Sequence, residues 1–181
     1  SQVTANSTSI PVTLLSTPLC IDPKGNEGLN PQKTEPTNPL YSLDKQQSSL
    51  VYYDKNTIVL TMPYWVKVTN SSVEDSEVKK HSFVLSYDPE AMTASDTKLK
   101  LYISHVVEDA GETVTRSNFT YAYRAYSIRA ALAAFKEKTG KLPKYLELTA
   151  EINNSKDELV DKDGKETSVE RSVEYDYAFT E

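Results

Sequence analysis

The stretch that decides the fold is TSVERSVEYDYAF, residues 167–179. Large side chains alternate in it with small or acidic ones, so the chain has a period of two. One face carries Val169, Arg171, Val173, Tyr175, Tyr177 and Phe179, and the other carries Ser168, Glu170, Ser172, Glu174, Asp176 and Ala178. This pattern predicts a strand with one face buried and the other in water, as in an antiparallel sandwich.

The same period of two recurs upstream and predicts about eight strands in total. The other predicted strands cover residues 49–53, 57–62, 64–69, 81–87, 98–107, 113–123 and 144–152. Pro63 lacks a backbone N–H and predicts a bend or bulge between two of them. In 113–123 the pattern places Phe119, Tyr121 and Tyr123 on one face, opposite the face with Arg116.

One segment has a helical period instead. Ile128, Leu132 and Phe135 recur at the spacing of one helix face, among strong helix formers. Ser127 is the expected N-cap, and Gly140 follows the last turn. The sequence therefore predicts an all-β fold, an antiparallel jelly-roll-like β-sandwich with one short inserted helix at about 127–139.

The chain of 181 residues has the length of one domain, with three segments expected. Residues 1–19 form an N-terminal segment, 20–48 a Pro-rich irregular connection, and 49–181 the sandwich. In the first segment Ile10, Val12 and Leu14 share one face and make a candidate donor strand. Such a strand can pair with its own sheet or with the open edge of a neighbouring copy, although Pro11 cannot donate one ladder bond.

Composition restricts the partners and the location. The net charge of −6 argues against nucleic acid, and no apolar run is long enough for a membrane span. The single cysteine, Cys20, excludes an internal disulfide. The polar start without Met predicts an extracellular protein, secreted and freed of its signal peptide, although an N-terminus trimmed for expression would look the same. Possible glycosylation sites are the sequons at Asn6, Asn70, Asn118 and Asn153.

An acidic loop is the candidate metal site. Its possible calcium ligands are Asp157, Glu158, Asp161, Asp163 and Glu166. Ca²⁺ prefers several hard oxygen ligands around a tight turn, which Gly164 permits. The loop does not fit the EF-hand template, because Leu159 takes the first ligand position and strands flank it. A solvated hairpin turn explains the same residues.

Catalysis has little support in the sequence, and we predict that the protein is not an enzyme. His81 and His105 are the two histidines, and both lie on predicted strands outside any nucleophile motif. They are best explained as ordinary strand residues. A hydrolase with paired carboxylates is the third hypothesis for function. Further acidic clusters, interpreted as hydrated turns, occur at Glu74, Asp75 and Glu77, at Asp88 and Glu90, and at Glu108, Asp109 and Glu112.

The chain holds 12 tyrosines. Aromatic residues on strands can line a sugar-binding face or a subunit interface, or can lie in the core and at its rim. Those considered are Tyr52, Tyr53, Tyr64, Trp65, Tyr121, Tyr123, Tyr126, Tyr175 and Tyr177.

The length, the β pattern, the start SQVTANSTSIPVT and the loop DKDGKE of residues 161–166 together resemble a known family. The chain is similar to the cannula subunits of Pyrodictium-type hyperthermophilic archaea, which form extracellular tubules, and it shares the donated-strand idea with bacterial fibre proteins. The resemblance implies a secreted jelly-roll protomer, calcium-promoted polymerisation and strand donation between copies.

The hypothesis from the sequence is therefore a secreted structural subunit. It would self-assemble into a filament or tubule, as a homopolymer joined by the donor strand and promoted by calcium. The alternative is a monomeric or surface-anchored β-sandwich that binds carbohydrate or another ligand.

Overall fold

The computed structural model describes residues 29–109, 114–155 and 167–179. Seven strands and two helices lie in these ranges. In chain order they are β1 (Leu50–Asp54), β2 (Thr57–Val66), α1 (Asp75–Val78), β3 (His81–Ser86), β4 (Lys98–Val107), β5 (Asn118–Ser127), α2 (Arg129–Thr139), β6 (Tyr145–Ile152) and β7 (Val169–Asp176).

The strands form two sheets that pack face to face around one core. Sheet 1 has the order β1-β2-β5, and sheet 2 has the order β3-β4-β6-β7. Large residues from both sheets and from α2 are fully buried together, among them Ile58, Leu101, Phe135 and Leu148. The prediction of a β-sandwich with a short helix is confirmed.

One strand pair departs from the predicted antiparallel pattern. β4 and β6 are parallel, with Lys98 opposite Tyr145 and Ile103 opposite Ala150. Between them the chain crosses to sheet 1 as β5 and returns through α2, so β6 enters sheet 2 in the direction of β4. A parallel neighbour requires a long crossover of this kind, and α2 supplies it.

Several predicted boundaries are wrong in detail. β2 runs straight through Pro63 without a change of register. The Pro63 carbonyl accepts a hydrogen bond from Tyr41 N–H, on the side of β2 that faces away from β5. The missing N–H therefore falls on that side and costs no bond to β5. Ser127 ends β5 and does not cap α2, whose N-cap is Ile128. Gly140 ends α2 in the left-handed region, as predicted, with φ of 74°.

The inner face of β7 is buried over only part of its length. Tyr177 is buried, whereas Val169 is 60% exposed. β1 and the residues on either side of it contact residues 175–177, through hydrogen bonds that involve Tyr52, Ser48 and Lys55. The other end of β7 reaches beyond this cover, so the predicted burial of that whole face is wrong for Val169.

Residues 29–48 form a strap that joins the sheets. Leu40, with no exposed surface, bridges Tyr64 of β2 and Ile152 of β6. Its N–H donates to the Glu151 carbonyl at 2.9 Å, and its carbonyl accepts from Asn153 N–H at 2.8 Å. The strap thus connects the two layers at one end of the sandwich.

Tyrosine hydroxyl groups connect the sheets along their edges. Tyr52 donates to the Asp176 carbonyl, Tyr175 to that of Ser48, Tyr177 to that of Lys55 and Tyr126 to that of Phe83, at 2.8–2.9 Å. Burial raises the pKa of Tyr52, Tyr175 and Tyr177 above the ordinary value. These tyrosines belong to the layer interface rather than to a ligand site.

We expect the free energy of unfolding to fall as the pH rises above about 10. Because the pKa values of these three tyrosines are raised in the folded protein, the unfolded chain ionises at lower pH. The stabilisation that this difference gives is complete below the ordinary tyrosine pKa and is lost as the pH rises through the folded-state pKa values. Urea unfolding at several alkaline pH values measures this. The triple change Tyr52→Phe, Tyr175→Phe and Tyr177→Phe should flatten the decline, and the exposed control Tyr53→Phe should not. An equal decline in all proteins would contradict the account.

Candidate functional site

All residues of the predicted assembly and calcium sites, and one of the predicted sequons, lie outside the described ranges. These are Ile10, Val12 and Leu14 of the donor strand, the acidic loop residues Asp157, Glu158, Asp161, Asp163 and Glu166, and the sequon at Asn6. Within the described ranges, no group of three histidine, cysteine or acidic side chains is placed to hold a metal ion. Strand donation and calcium binding stay predictions.

The other sequons lie in different surroundings. Asn70 is exposed in a tight turn with φ of 51°, and Asn118 is exposed at the start of β5. Asn153 is buried, and its amide donates to the carbonyl and the hydroxyl of Thr167 at 2.8 Å. A glycan on that nitrogen would break these bonds, so the folded chain disfavours modification of Asn153.

In sheet 1 the outward positions of β2 and β5 carry no charged side chain, whereas the charged Asp54 lies opposite Thr57 at the end of β1, after a register shift. The register fixes which residues point outward, because Trp65 lies opposite Phe119 and alternate pairs share a face. The uncharged face consists of the exposed Tyr53, which lies at the register shift of β1, and of Val51, Thr57, Val59, Thr61, Pro63, Trp65, Phe119, Tyr121, Tyr123, Ala125 and Ser127. In a chain with 25% charged residues, such a face is unusual for a surface in contact with water alone.

The uncharged face is aromatic and accessible. Tyr53 is 81% exposed, Val51 58%, and Phe119 and Tyr121 40% each. Tyr41 of the strap stacks on Phe119, with ring centroids 4.1 Å apart and planes 10° apart. Rigid rings with a wet, hydroxyl-bearing edge are typical of recognition surfaces.

Trp65 is a buried member of the uncharged face and supports one end of it. It is 3% exposed, its ring meets that of Tyr41 edge-on at 5.0 Å, and its Nε1–H donates to the Asn153 carbonyl at 2.7 Å. The indole therefore fixes Tyr41, and through it Phe119, against the end of β6. The exposed rings are held in place before any ligand arrives.

The outer face of sheet 2 has the opposite character. Lys98 lies 2.6 Å from Glu174 and 3.3 Å from Glu147 in exposed ion pairs. The charged outward residues of this face are Lys98, Lys100, Glu147, Glu151, Glu170, Glu174 and Asp176. This face is a solvated surface, and the two layers thus present chemically different exteriors.

A buried polar chain crosses the inner face of sheet 2. His105 Nδ1 lies 3.1 Å from the Pro39 carbonyl, and His105 Nε2 lies 2.8 Å from His81 Nδ1. His81 Nε2 in turn lies 3.2 Å from Glu77 Oε1. Both imidazoles are almost fully buried and pack against the ring of Tyr64. Substrate from solvent has no access to them.

Arg116 closes this cluster with ion pairs. Its Nε donates to Glu77 Oε1 at 2.7 Å, and its two terminal nitrogens donate to the two carboxylate oxygens of Asp109, also at 2.7 Å. Lys80 adds a contact to Asp109 at 3.3 Å. Bidentate pairs of this kind are the strong form of ion pair. Glu77 and Asp109, interpreted from the sequence as parts of hydrated turns, are instead bound by a buried guanidinium.

The cluster shifts the proton affinities of its members. Burial opposes ionisation of Glu77, yet hydrogen bonds from the Lys67 N–H and Arg116 hold its pKa below the ordinary value. The hydrogen bonds from Arg116 likewise lower the pKa of Asp109. Burial lowers the pKa of His105 to about 3, and burial also lowers that of His81, with Glu77 acting in the opposite direction.

A cleft of about 460 Å³ opens between the strap and β7. Its lining is mostly polar and charged, and its hydrophobic members are Leu43, Ile152 and Val173. The full lining is Ser42, Leu43, Asp44, Lys45, Ile152, Asn154, Arg171, Ser172, Val173 and Glu174. It is a second, weaker candidate for ligand binding.

Comparison with known proteins supports the fold. The sequence matches no family model and no curated protein. A crystal structure of a protein from Bacteroides fragilis NCTC 9343, described as a "Putative lipoprotein", is similar with a TM-score of 0.68 and 25% identity, over 86% of this chain and 72% of that chain. Neither described helix is long and apolar enough to cross a membrane.

Sequence reasoning found part of these sites. The alternation in 113–123 correctly placed Phe119, Tyr121 and Tyr123 on one face, although β5 begins only at Asn118. It did not find the buried cluster, whose members Glu77 and Arg116 are 39 residues apart. A weak signal existed, since His81 and His105 both occupy inward positions of their strands.

We expect Arg116→Met to lower the free energy of unfolding by about 3–5 kcal/mol, because it leaves two carboxylates without their buried partner. Urea unfolding at neutral pH measures the change. The matched control is Lys98→Met, which removes an exposed cation that also contacts two carboxylates and should leave the stability nearly unchanged. Equal losses of unfolding free energy in the two variants would contradict this expectation, because burial of the cluster would then contribute nothing to the effect.

Proposed function

We propose that this protein is an exported, surface-anchored β-sandwich module that binds a neutral polysaccharide through the uncharged face, without catalysis. The single observation that supports this most is the absence of charge from every outward position of β2 and β5, combined with exposed aromatic rings. Surface anchoring is suggested by the similarity to the Bacteroides fragilis protein described as a lipoprotein.

The chemistry of the face favours sugar rings over other ligands. A pyranose ring has apolar C–H faces and a rim of hydroxyl groups. Tyr53, Tyr121 and Tyr123 offer the complementary arrangement of flat apolar rings with hydroxyl edges, and Thr57 and Thr61 add further hydroxyl groups. Phe119 and Tyr121 follow one another along the same strand face, which suits an extended chain of sugars.

Charge argues against the other large partners. Nucleic acid and anionic membrane surfaces attract basic residues, and neither Lys nor Arg occupies an outward position of this face, in a chain of net charge −6. Charged polysaccharides would likewise find no counter-charge. A neutral polymer avoids the cost of desolvating an ion on such a surface.

A binding role without catalysis also agrees with the positions of the histidines. His81 and His105, the two histidines of the chain, are 3% and 1% exposed and bond to one another. General base catalysis requires a base within reach of the substrate, and these two buried side chains cannot reach a substrate in solvent.

Self-assembly is the second hypothesis and stays a prediction, as does the resemblance to cannula subunits. An uncharged sheet face can also pair with a second copy, so the test below includes the oligomeric state. Donation of the strand with Ile10, Val12 and Leu14, and calcium in the 157–166 loop, are independent of the uncharged face.

We expect the protein to be retarded in native gels that contain soluble neutral polysaccharides, namely hydroxyethyl cellulose, galactomannan and amylose tested separately. Tyr121→Ala should weaken binding to the retarding polymer by about tenfold, the loss typical of an aromatic contact at the centre of an interface. The matched control Tyr145→Ala changes a partly exposed tyrosine on the charged outer face and should bind normally.

Two outcomes would contradict the proposal. The first is retardation that does not depend on the uncharged face. This would be seen if every polymer retarded wild type and Tyr121→Ala equally, or if only polygalacturonate, an anionic control, retarded the protein. The second is a concentration-dependent dimer or filament in light scattering that Tyr121→Ala abolishes, in the absence of any retardation. That result would assign the uncharged face to contacts between copies.

A further inference from the structure

The buried polar chain has one proton too few when its two imidazoles are neutral. Three contacts join the Pro39 carbonyl, His105, His81 and Glu77 in series. Both ends are acceptors, because a backbone carbonyl and an ionised carboxylate have no proton to donate. Three hydrogen bonds need three protons, whereas two neutral imidazoles supply two.

The position of the missing proton follows from the two ends. If His105 Nδ1–H donates to Pro39, then His105 Nε2 is an acceptor and His81 must donate from Nδ1. His81 Nε2 then carries a lone pair that faces Glu77 Oε1 at 3.2 Å. The reverse arrangement would place the lone pair of His105 against the Pro39 carbonyl and leave that buried carbonyl without this donor, whereas Glu77 Oε1 keeps the Lys67 N–H and Arg116 Nε as donors in either arrangement.

We infer that the His81–His105 pair accepts one proton, and only one, in the folded protein, and that the proton binds at Nε2 of His81 against the Glu77 carboxylate. The third hydrogen bond then forms as a charge-assisted contact. A second proton is excluded because His81 Nδ1 and His105 Nε2 are 2.8 Å apart and can share one hydrogen but not hold two.

The charges around the pair agree with uptake of one proton. Glu77 and Asp109 bring two negative charges, and Arg116 brings one positive charge, all within direct contact. One added proton makes these three groups and the imidazole pair neutral together, and the positive charge of Lys80 remains at their edge. Lys80, from the end of α1, lies at the half-exposed edge of the set beside Asp109, and Tyr64 from β2 and Phe83 from β3 contribute uncharged rings. The pKa of His105 is lowered further than that of His81, which agrees with His81 as the residue that titrates.

Proton uptake affects a carboxylate that is bonded to the end of the uncharged face. Glu77 Oε1, which faces His81, also accepts from the Lys67 N–H at 2.9 Å and from Arg116 Nε. Lys67 follows β2 and Arg116 precedes β5, and Val66 and Asn118 are paired between them. The same carboxylate oxygen therefore connects the imidazole pair to the strand ends that bear Trp65 and Phe119.

The test is an NMR titration of the whole protein labelled with ¹⁵N on histidine, from about pH 8 to about pH 4. The Nε2 signal of His81 should move from the range of an unprotonated nitrogen to that of a protonated one. His105 should remain singly protonated at Nδ1, and the backbone amide of Lys67 should follow with the same midpoint. Titration of both rings in the folded protein, or of neither, would overturn the inference.

Matched variants separate this contact from general electrostatics. Glu77→Gln removes the charge that faces His81 and should move the His81 midpoint to clearly lower pH or abolish the transition. Asp109→Asn removes an equal charge on the far side of Arg116 and should move the midpoint much less. Equal displacement by the two variants would contradict the assigned proton position.

Discussion

The antiparallel register between β2 and β5 is the constraint on which the rest of the structure depends. Ten consecutive pairs, from Thr57 with Ser127 to Val66 with Asn118, fix the face of every side chain in both strands. A slip of one residue would move Ile58, Leu60 and Met62 into water and the outward rings into the core. Since the inward residues of β2 are almost fully buried, the hydrophobic effect holds the register and so creates the uncharged face.

The fold separates charge from this face. Charged side chains occupy the outer face of sheet 2, where water solvates them, and a few are buried as the ion pairs of Arg116. The buried cluster is tied to both β2 and β5 at their ends, through Lys67 and Arg116. A buried ionic group of this kind is costly unless every partner is present, so it specifies the arrangement of the surrounding elements more than it adds stability.

The sequence was informative where one short segment determines its own structure. Alternation predicted the strands, the sandwich and the shared face of Phe119, Tyr121 and Tyr123, because a period of two is a local property. It was uninformative where the outcome depends on distant partners. The parallel pairing of β4 and β6, the exposure of Val169 and the hydrogen bonds of the buried tyrosines all depend on which strand lies opposite. For the same reason the aromatic residues could not be divided beforehand into core tyrosines, such as Tyr177, and surface ones, such as Tyr53.

An uncharged, preorganised sheet surface explains the distribution of aromatic and charged residues between the two outer faces of the sandwich. The most direct measurement of this account is a map of backbone amide shifts on addition of a soluble neutral oligosaccharide taken from the retarding polymer. The account predicts that the changes concentrate on β1, β2 and β5 around Tyr53, Phe119 and Tyr121. Changes concentrated instead in the cleft between the strap and β7, around Lys45 and Arg171, or no changes at all, would contradict it.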